Sequence, residues 1–373
     1  CRDRVGVKPL YYYQQDGLFL FGSELKALVE HPSFNKQLNK NALSMYLQFG
    51  YIHAPYTIYE DTHKLLPGHY IRYDLANASL EITKYWDIVD FYKMDKLELS
   101  NAEAEQQLED ILIDAFNLRM VSDVPVGAFL SGGVDSSLVT ALLQKHNNEQ
   151  INTFTIGFED ENYNEAHYAK KIAEKLGTKH TEYYCTKQDA LDTIPMLAKM
   201  YDEPFGDSSA IPTALVSKLA KEQVSVVLSG DGGDEMFGGY SSYQLFEKRL
   251  SYIERLPLRK YFGFLLGLIP DPLFFLQTIN EKYYLRYLKF KSILSFNNVA
   301  DMFKLSNTVF TKYEVSRVLS GKYHYENESQ LKQLHNLEQM IFYHPKLYTP
   351  HSLCLENKPA YHLYMVFDYL EEN

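Results

Sequence analysis

The segment Ser131-Gly-Gly-Val-Asp-Ser-Ser137 gathers two glycines, three hydroxyls and one carboxylate in a few residues. It follows an apolar run, Val124 to Leu130, and opens an amphipathic one, Val134 to His146. A strand, a tight loop and a helix start in that order suit an anion, because the first N–H groups of a helix have no partner within it. Gly132 and Gly133 let the backbone approach closely and aim N–H groups at a phosphate. Ser131, Ser136 and Ser137 add hydroxyl donors. Asp135 repels a phosphate, so its expected task is to hold a divalent cation that bridges the phosphates.

A second segment, Ser229-Gly-Asp-Gly-Gly-Asp-Glu-Met-Phe-Gly-Gly-Tyr240, repeats the pattern after its own apolar run, Val224 to Leu228. Most Gly/Asp/Ser segments are ordinary turns. Two of them at two strand ends point instead to one nucleotide–metal site, because open parallel sheets bind ligands at the carboxyl ends of strands. Asp135 and Asp234 are the expected metal ligands.

The positioning elements follow from periodicity. Strands are expected at Val124–Leu130, Ile151–Phe158, His180–Cys185 and Val224–Leu228. Helices are expected at Val134–His146, Glu165–Leu176, Gln188–Met200 and Ala210–Lys221. Such alternation implies an α/β fold, a parallel sheet with helices on both faces. In the helix after the first loop, Val134, Leu138, Ala141 and Leu142 are expected to share the buried face. A preceding helix, Ala102 to Val121, offers Leu108, Ile111, Leu112, Ala115, Phe116 and Leu118. Residues 1 to 88 read as β-rich, with a hairpin at Gln14-Gln-Asp-Gly17. Asp87 to Asn101 is polar and aperiodic, a linker. Residues 246 to 373 read as mainly helical.

A chain of 373 residues calls for two domains. Its 46% apolar and 23% charged content is that of a globular protein. The net charge of -11 at pH 7 argues against nucleic acid or an anionic membrane as partner. The apolar stretch Tyr261 to Phe275 is broken by Pro270-Asp-Pro272 and is too short to span a bilayer. Cys1, Cys185 and Cys354 are far apart and form no metal-ligand spacing, so a reduced, cytoplasmic setting is the simplest reading.

The first loop resembles the pyrophosphate loop of the N-type ATP pyrophosphatases, Ser-Gly-Gly-x-Asp-Ser. It departs from the Walker A pattern, since no Gly-Lys-Ser/Thr follows. The second loop narrows the resemblance to glutamine-dependent asparagine synthetases. So do Tyr201-Asp-Glu-Pro-Phe-Gly-Asp-Ser-Ser-Ala-Ile-Pro212, Arg2-Asp-Arg-Val-Gly-Val-Lys-Pro-Leu-Tyr-Tyr12 and Ser23-Glu-Leu-Lys-Ala-Leu28. The resemblance runs from residue 2 to about 245; beyond it only composition is alike.

The resemblance implies the later part of an Ntn-type glutaminase domain over 1–88 and an ATP pyrophosphatase-like synthetase domain over 102–373. The implied reaction activates aspartate with ATP and Mg²⁺ as β-aspartyl-AMP, which glutamine-derived ammonia converts to asparagine. Ser131, Gly132, Gly133, Asp135, Ser136 and Ser229 would serve ATP and pyrophosphate, and Leu130, Ile156 and Gly230 the adenine. Asp231 stands where several relatives carry glutamate and would act on the incoming amine, with Glu235 as the alternative base. Asp202, Glu203 and Asp207 could serve metal, substrate or helix capping.

Members of this family use an amino-terminal cysteine nucleophile. Cys1, followed by Arg-Asp-Arg, has the wrong context for that role. A segment beyond Asn373, with a catalytic lysine, is also expected to be missing, so this chain alone is expected to be inactive. The expected partners are small molecules (aspartate, glutamine, ATP), and a homodimer stays open. The competing readings are an amidotransferase acting on a sugar carboxylate or closing a β-lactam, and a non-catalytic nucleotide-binding protein.

Overall fold

The computed structural model describes residues 1–160, 164–241 and 308–319, single positions between 243 and 265, and short backbone pieces at 354–355 and 358–359. The helical expectation for 246–373 falls largely outside the described residues. Within it, a helix at Lys312–Val318 and an antiparallel pairing of Cys354–Leu355 with Lys358–Pro359 are described.

The first layer is built on a hairpin. Strands β1 (Tyr11–Gln15) and β2 (Leu18–Gly22) pair antiparallel, with Gln15 opposite Leu18. Asp16 and Gly17 between them both have positive φ, 50° and 78°, which suits a two-residue turn matching the strand twist. Helices α1 (Leu25–Val29) and α2 (Lys40–Phe49) follow, then β3 (Thr62–Lys64), which pairs with β1. Their shared core holds Tyr11, Tyr13, Leu25, Leu28, Phe34, Ala42, Ile52 and Ile58. Strands β4 (His69–Asp74) and β5 (Ser79–Lys84) form a separate ribbon.

The reading of this part as β-rich passed over α1 and α2. Helix α2 carries its own signals. Asn39 accepts a hydrogen bond from the Ala42 amide, and Gly50 closes the helix at φ 82°. The expected linker also contains a short helix, α3 (Ile88–Tyr92). Asp87 caps it through the Val89 amide, and the Trp86 and Phe91 rings meet at 5.4 Å.

Helix α4 (Asn101–Met120) starts in a capping box between Ser100 and Glu103. After it come β6 (Val126–Phe129), α5 (Val134–His146), β7 (Asn152–Phe158), α6 (Ala166–Leu176) and β8 (Lys179–Cys185). Then follow α7 (Lys187–Met200), α8 (Ala210–Lys221), β9 (Val226–Leu228), α9 (Gly233–Phe237) and α10 (Lys312–Val318). The sheet runs β8-β7-β6-β9, parallel throughout. Parallel neighbours need crossovers, which the intervening helices supply.

The side-chain period of two sorts the strands onto two faces. Ala128 and Leu228 join Leu112, Ala115, Phe116, Val139 and Leu143 under α4 and α5. Phe154 and Val227, with Phe129 and Ile156 alongside, pack with Val216 and Ala220 of α8. Helices thus cover both faces, as the alternation implied.

Two face assignments are corrected. In α5, Val134 is 83% exposed and Leu138 44%, while Ser136, Val139, Thr140, Leu142 and Leu143 are buried. The buried stripe runs through Ser136 because the loop folds that side down, and Val134 at the helix start points outward. In α4, Leu118 is exposed, because the buried stripe through Leu112, Ala115 and Phe116 leaves it on the opposite side. Phe116 is 1% exposed at the centre of this core. Phe116→Ala should therefore lower the unfolding free energy by about 3–5 kcal/mol, read from urea denaturation.

Candidate functional site

Strands β6 and β9 are hydrogen-bonded neighbours, so their carboxyl ends place the loops after Leu130 and Leu228 side by side. The contact between the loops is backbone on backbone. A side chain at Gly230 would meet the Ser136 nitrogen at 2.7 Å and the Asp135 carbonyl carbon at 3.1 Å. One at Gly233 would land on the Asp135 carboxylate. Both glycines are needed for the approach, whatever their dihedral angles.

The first loop is braced by its own serines. Ser136 Oγ accepts from the Ser131 amide at 3.1 Å, lies 2.9 Å from Ser131 Oγ and donates to the Gly133 carbonyl at 3.3 Å. Ser131 Oγ accepts from the Gly133 amide at 3.3 Å, and Ser137 Oγ donates to the Gly133 carbonyl at 2.6 Å. Ser136 is buried, while Ser131 and Gly133 are exposed at the mouth. Gly132 has φ 86°, and a side chain there would meet the Tyr168 Cβ at 2.9 Å and the Ala169 nitrogen at 3.0 Å on α6.

In the second loop the buried Ser229 holds Asp231 from both ends. Its hydroxyl donates to Asp231 Oδ2 at 2.7 Å and accepts from the Asp231 amide at 3.1 Å. Asp231 itself is exposed. Glu235, the alternative base, is 2% exposed and accepts from the Tyr240 hydroxyl at 2.5 Å. Burial, then the hydrogen bond and charge of Glu235, push the Tyr240 hydroxyl far above its ordinary range. Glu235 therefore ties the loop to the Gly238-Gly239-Tyr240 turn. No periodicity announces this contact across five residues.

Asp135 sits where the loops meet, and its carboxyl is pushed above the ordinary aspartate value. Burial is the largest cause, followed by the charge of Asp234 and, more weakly, that of Asp231; a hydrogen bond from the Asp234 amide opposes them. Three carboxylates crowd one edge of an anion-type loop, an arrangement that a cation would relieve. Among the described residues, no group of three or more His, Cys, Asp or Glu is arranged to hold a metal by itself. Two carboxylates completed by phosphate oxygens and water fit Mg²⁺, which rarely takes an all-protein cage.

Leu130 and Ile156 are not brought to one apolar slot. Leu130 is buried against Ala169 and Ala173 of α6, whereas Ile156 packs towards α8 on the other face. The backbone of Leu130 is engaged too, its amide donating to the Phe154 carbonyl at 3.0 Å and its carbonyl accepting from the Thr155 hydroxyl.

Asp202 and Glu203 are directed to the first layer, and Asp207 stands at the start of α8. Asp207 accepts from the Ser209 amide at 2.8 Å at the start of α8. The Asp202 and Glu203 carboxylates reach the amides of Leu25 and Ile58 in the first layer, at 2.9 and 2.7 Å.

The Asp135 shift has a stability consequence in the absence of metal. A group whose folded pKa is raised contributes stability that is complete below its unfolded value, about 3.9, and lost as pH rises through the folded value. In EDTA, Asp135→Asn should melt above the wild type at neutral pH. The gap should close as the pH falls below about 4, read from thermal melts across that range.

A family model described as asparagine synthase matches residues 107–358, and one described as glutamine amidotransferase domain matches residues 1–86. The chain is similar to glutamine-hydrolyzing asparagine synthetase 2 of Methanocaldococcus jannaschii, 42% identical over 260 residues, 69% of this chain and 49% of that protein. It is similar to asparagine synthetase 1 of Bacillus subtilis, 32% identical over 277 residues, 73% of this chain and 42% of that protein. The match thus spans under half the length of these relatives. An NH3-dependent NAD synthetase structure from Campylobacter jejuni overlaps 52% of this chain and 97% of its own, at 15% identity and TM-score 0.28, too weak a likeness to bear on function. With the family model covering most of the chain, and the paired glycine loops standing at neighbouring strand ends, the chain belongs to the asparagine synthase family.

Proposed function

We propose that this chain carries the ATP-activating centre of a ligase that makes asparagine from aspartate, with ammonia drawn from glutamine, together with part of the unit that releases that ammonia. The observation that carries the reading is the contact of Gly230 with Asp135–Ser136, which gathers Asp135, Asp234 and Asp231 at one anion loop. The choice of aspartate over a sugar carboxylate rests on the names of the relatives. The proposed division is 1–88 and 102–373, supported by the Ser100 capping box at the start of α4.

A carboxylate is a poor acyl donor at neutral pH; attack of its oxygen on the α-phosphorus of ATP displaces pyrophosphate and gives an acyl-adenylate, from which ammonia then displaces AMP. Ser131 and the Gly132 and Gly133 amides would receive the pyrophosphate, with Ser136 bracing the loop and Ser229 fixing its neighbour. Asp135 and Asp234 would hold Mg²⁺, which when bound neutralises the phosphates. Of the three expected adenine contacts Gly230 keeps the role, since the Leu130 backbone is already hydrogen-bonded and Ile156 packs on the other face. Asp231, exposed and held by Ser229, would orient the amine and take its proton once the acyl-adenylate is formed. The bracing of both loops by their own serines keeps these groups in place before substrate arrives.

Calorimetry on this chain should record ATP binding that requires Mg²⁺, weakened by Asp135→Ala. Equal binding with and without the metal, in both forms, would remove the metal role. In the whole protein, Asp231→Asn should spare ATP–pyrophosphate exchange and slow amide formation by roughly 10²–10⁴-fold, the range for a lost general base. Asp135→Asn should suppress both steps. If Asp231→Asn stops exchange as fully as Asp135→Asn does, Asp231 belongs to the ATP site instead.

A further inference from the structure

The seven residues Tyr201 to Asp207, between α7 and α8, reach three separate segments of the first layer. Asp202 accepts from the Leu25 amide at 2.9 Å and the Lys26 amide at 3.5 Å. These are the first two amides of α1, whose own flanking residue Glu24 makes no side-chain cap. An acid distant in sequence thus satisfies the free end of that helix. Lys26 answers by donating to the Lys199 carbonyl at 2.9 Å, at the end of α7. Burial pushes the Asp202 carboxyl up, and the two α1 amides and Lys26 pull it back.

The next residue makes the tightest link. Glu203 Oε1 accepts from the Ile58 amide at 2.7 Å, and Oε2 pairs with Lys64 Nζ at 2.5 Å. Both side chains are almost closed to solvent, 5% exposed for Lys64 and 10% for Glu203. Lys64 also donates to the Ile52 carbonyl at 2.7 Å. The pair is therefore rooted in β3 and in the loop that leads to it. Further on, the Gly206 amide donates to the Gly50 carbonyl at 2.7 Å. There the two backbones touch, since a side chain at Gly206 would meet the Gly50 Cα at 3.3 Å.

A buried ion pair is weak evidence of stability, because desolvation offsets the attraction. Its geometry, however, is demanding: a lysine with two oxygen partners and a glutamate with two donors hold one mutual placement. A purely apolar contact would tolerate sliding. We infer that Lys64 and Glu203 are a positioning pair that locks the first layer onto the nucleotide unit in one register, so that an amine released in the one reaches the acyl group formed in the other. The second half of this inference rests on the reading of function above; the first half rests on the contacts alone.

Hydrogen exchange on the whole chain tests the lock. If the joint opens as one unit, the amides of Leu25, Lys26, Ile58 and Gly206 exchange at a common rate. Glu203→Gln keeps the shape and an acceptor for Ile58 but strands the Lys64 charge. It should speed all four amides by about 100-fold, the scale for removing one partner of a buried pair, and leave the β7 amides unchanged. The double variant Lys64→Met with Glu203→Leu removes both charges and should keep the fold, yet also speed the four amides. Acceleration at Ile58 alone would reduce the pair to a local contact and overturn the lock.

The transfer is read in the whole protein by supplying either ammonium or glutamine. Both variants should make amide from ammonium at the wild-type rate. With glutamine, glutamate released per amide formed should rise by about 10-fold as amine is lost to water. A wild-type ratio in both variants would overturn the transfer role. A wild type that forms amide with neither donor would instead sink the reading of function, and the exchange rates would still judge the lock.

Discussion

The close approach of Gly230 to the Asp135–Ser136 backbone is the constraint on which the site depends. It is available because β6 and β9 are adjacent and parallel, which brings two strand-end loops to the same edge. A single methyl group at Gly230 would part the loops. The approach also has an electrostatic cost: burial first, then the charges of Asp234 and Asp231, drive the Asp135 carboxyl towards its neutral form. A protein selected for stability alone would not concentrate acids there. Local conflict of this kind marks functional sites, where binding offsets what folding loses.

The serines divide between bracing and display. Ser136 and Ser229 are buried and hold backbone groups or Asp231, while Ser131 accepts from the Gly133 amide and yet stays exposed. The same division holds for the acids of the second loop. Glu235 is buried against Tyr240 and fixes the turn, and Asp231 is left at the surface. Neighbouring residues with the same functional group thus take different tasks through burial alone.

The junction between the first layer and the parallel-sheet unit follows another physical rule. Among the described residues its contacts include hydrogen bonds from backbone amides to carboxylates, the Lys26 ammonium on the Lys199 carbonyl, the buried Lys64–Glu203 pair and the Gly206–Gly50 backbone contact. Directional bonds of this kind specify orientation more than they add affinity. A second contact lies at α10, where the Val309 amide donates to the Gln48 carbonyl at 2.7 Å just before that helix. Interfaces within a chain that are polar rather than oily permit relative motion unless such bonds hold them.

The glycine loops and the strand–helix alternation were legible in the sequence, because they depend on local chemistry. A tight loop needs glycine, a helix start needs a cap, and a strand buried on both faces needs an apolar run. The sheet's parallel course and its helices on both faces followed from the same alternation. The rest depended on partners distant along the chain. Val134 and Leu138 read as core by periodicity, but the orientation of α5 is set by Ser136 packing into the loop, which turns them outward. Asp202 and Glu203 read as acids for metal, substrate or helix capping, and only the tertiary structure shows that Asp202 caps α1 through the Leu25 amide and that Glu203 meets the Ile58 amide and Lys64, more than a hundred residues earlier. Residue types determine what a group can do; which partner reaches it, and whether water does, is decided by the packing of elements that the local sequence does not encode.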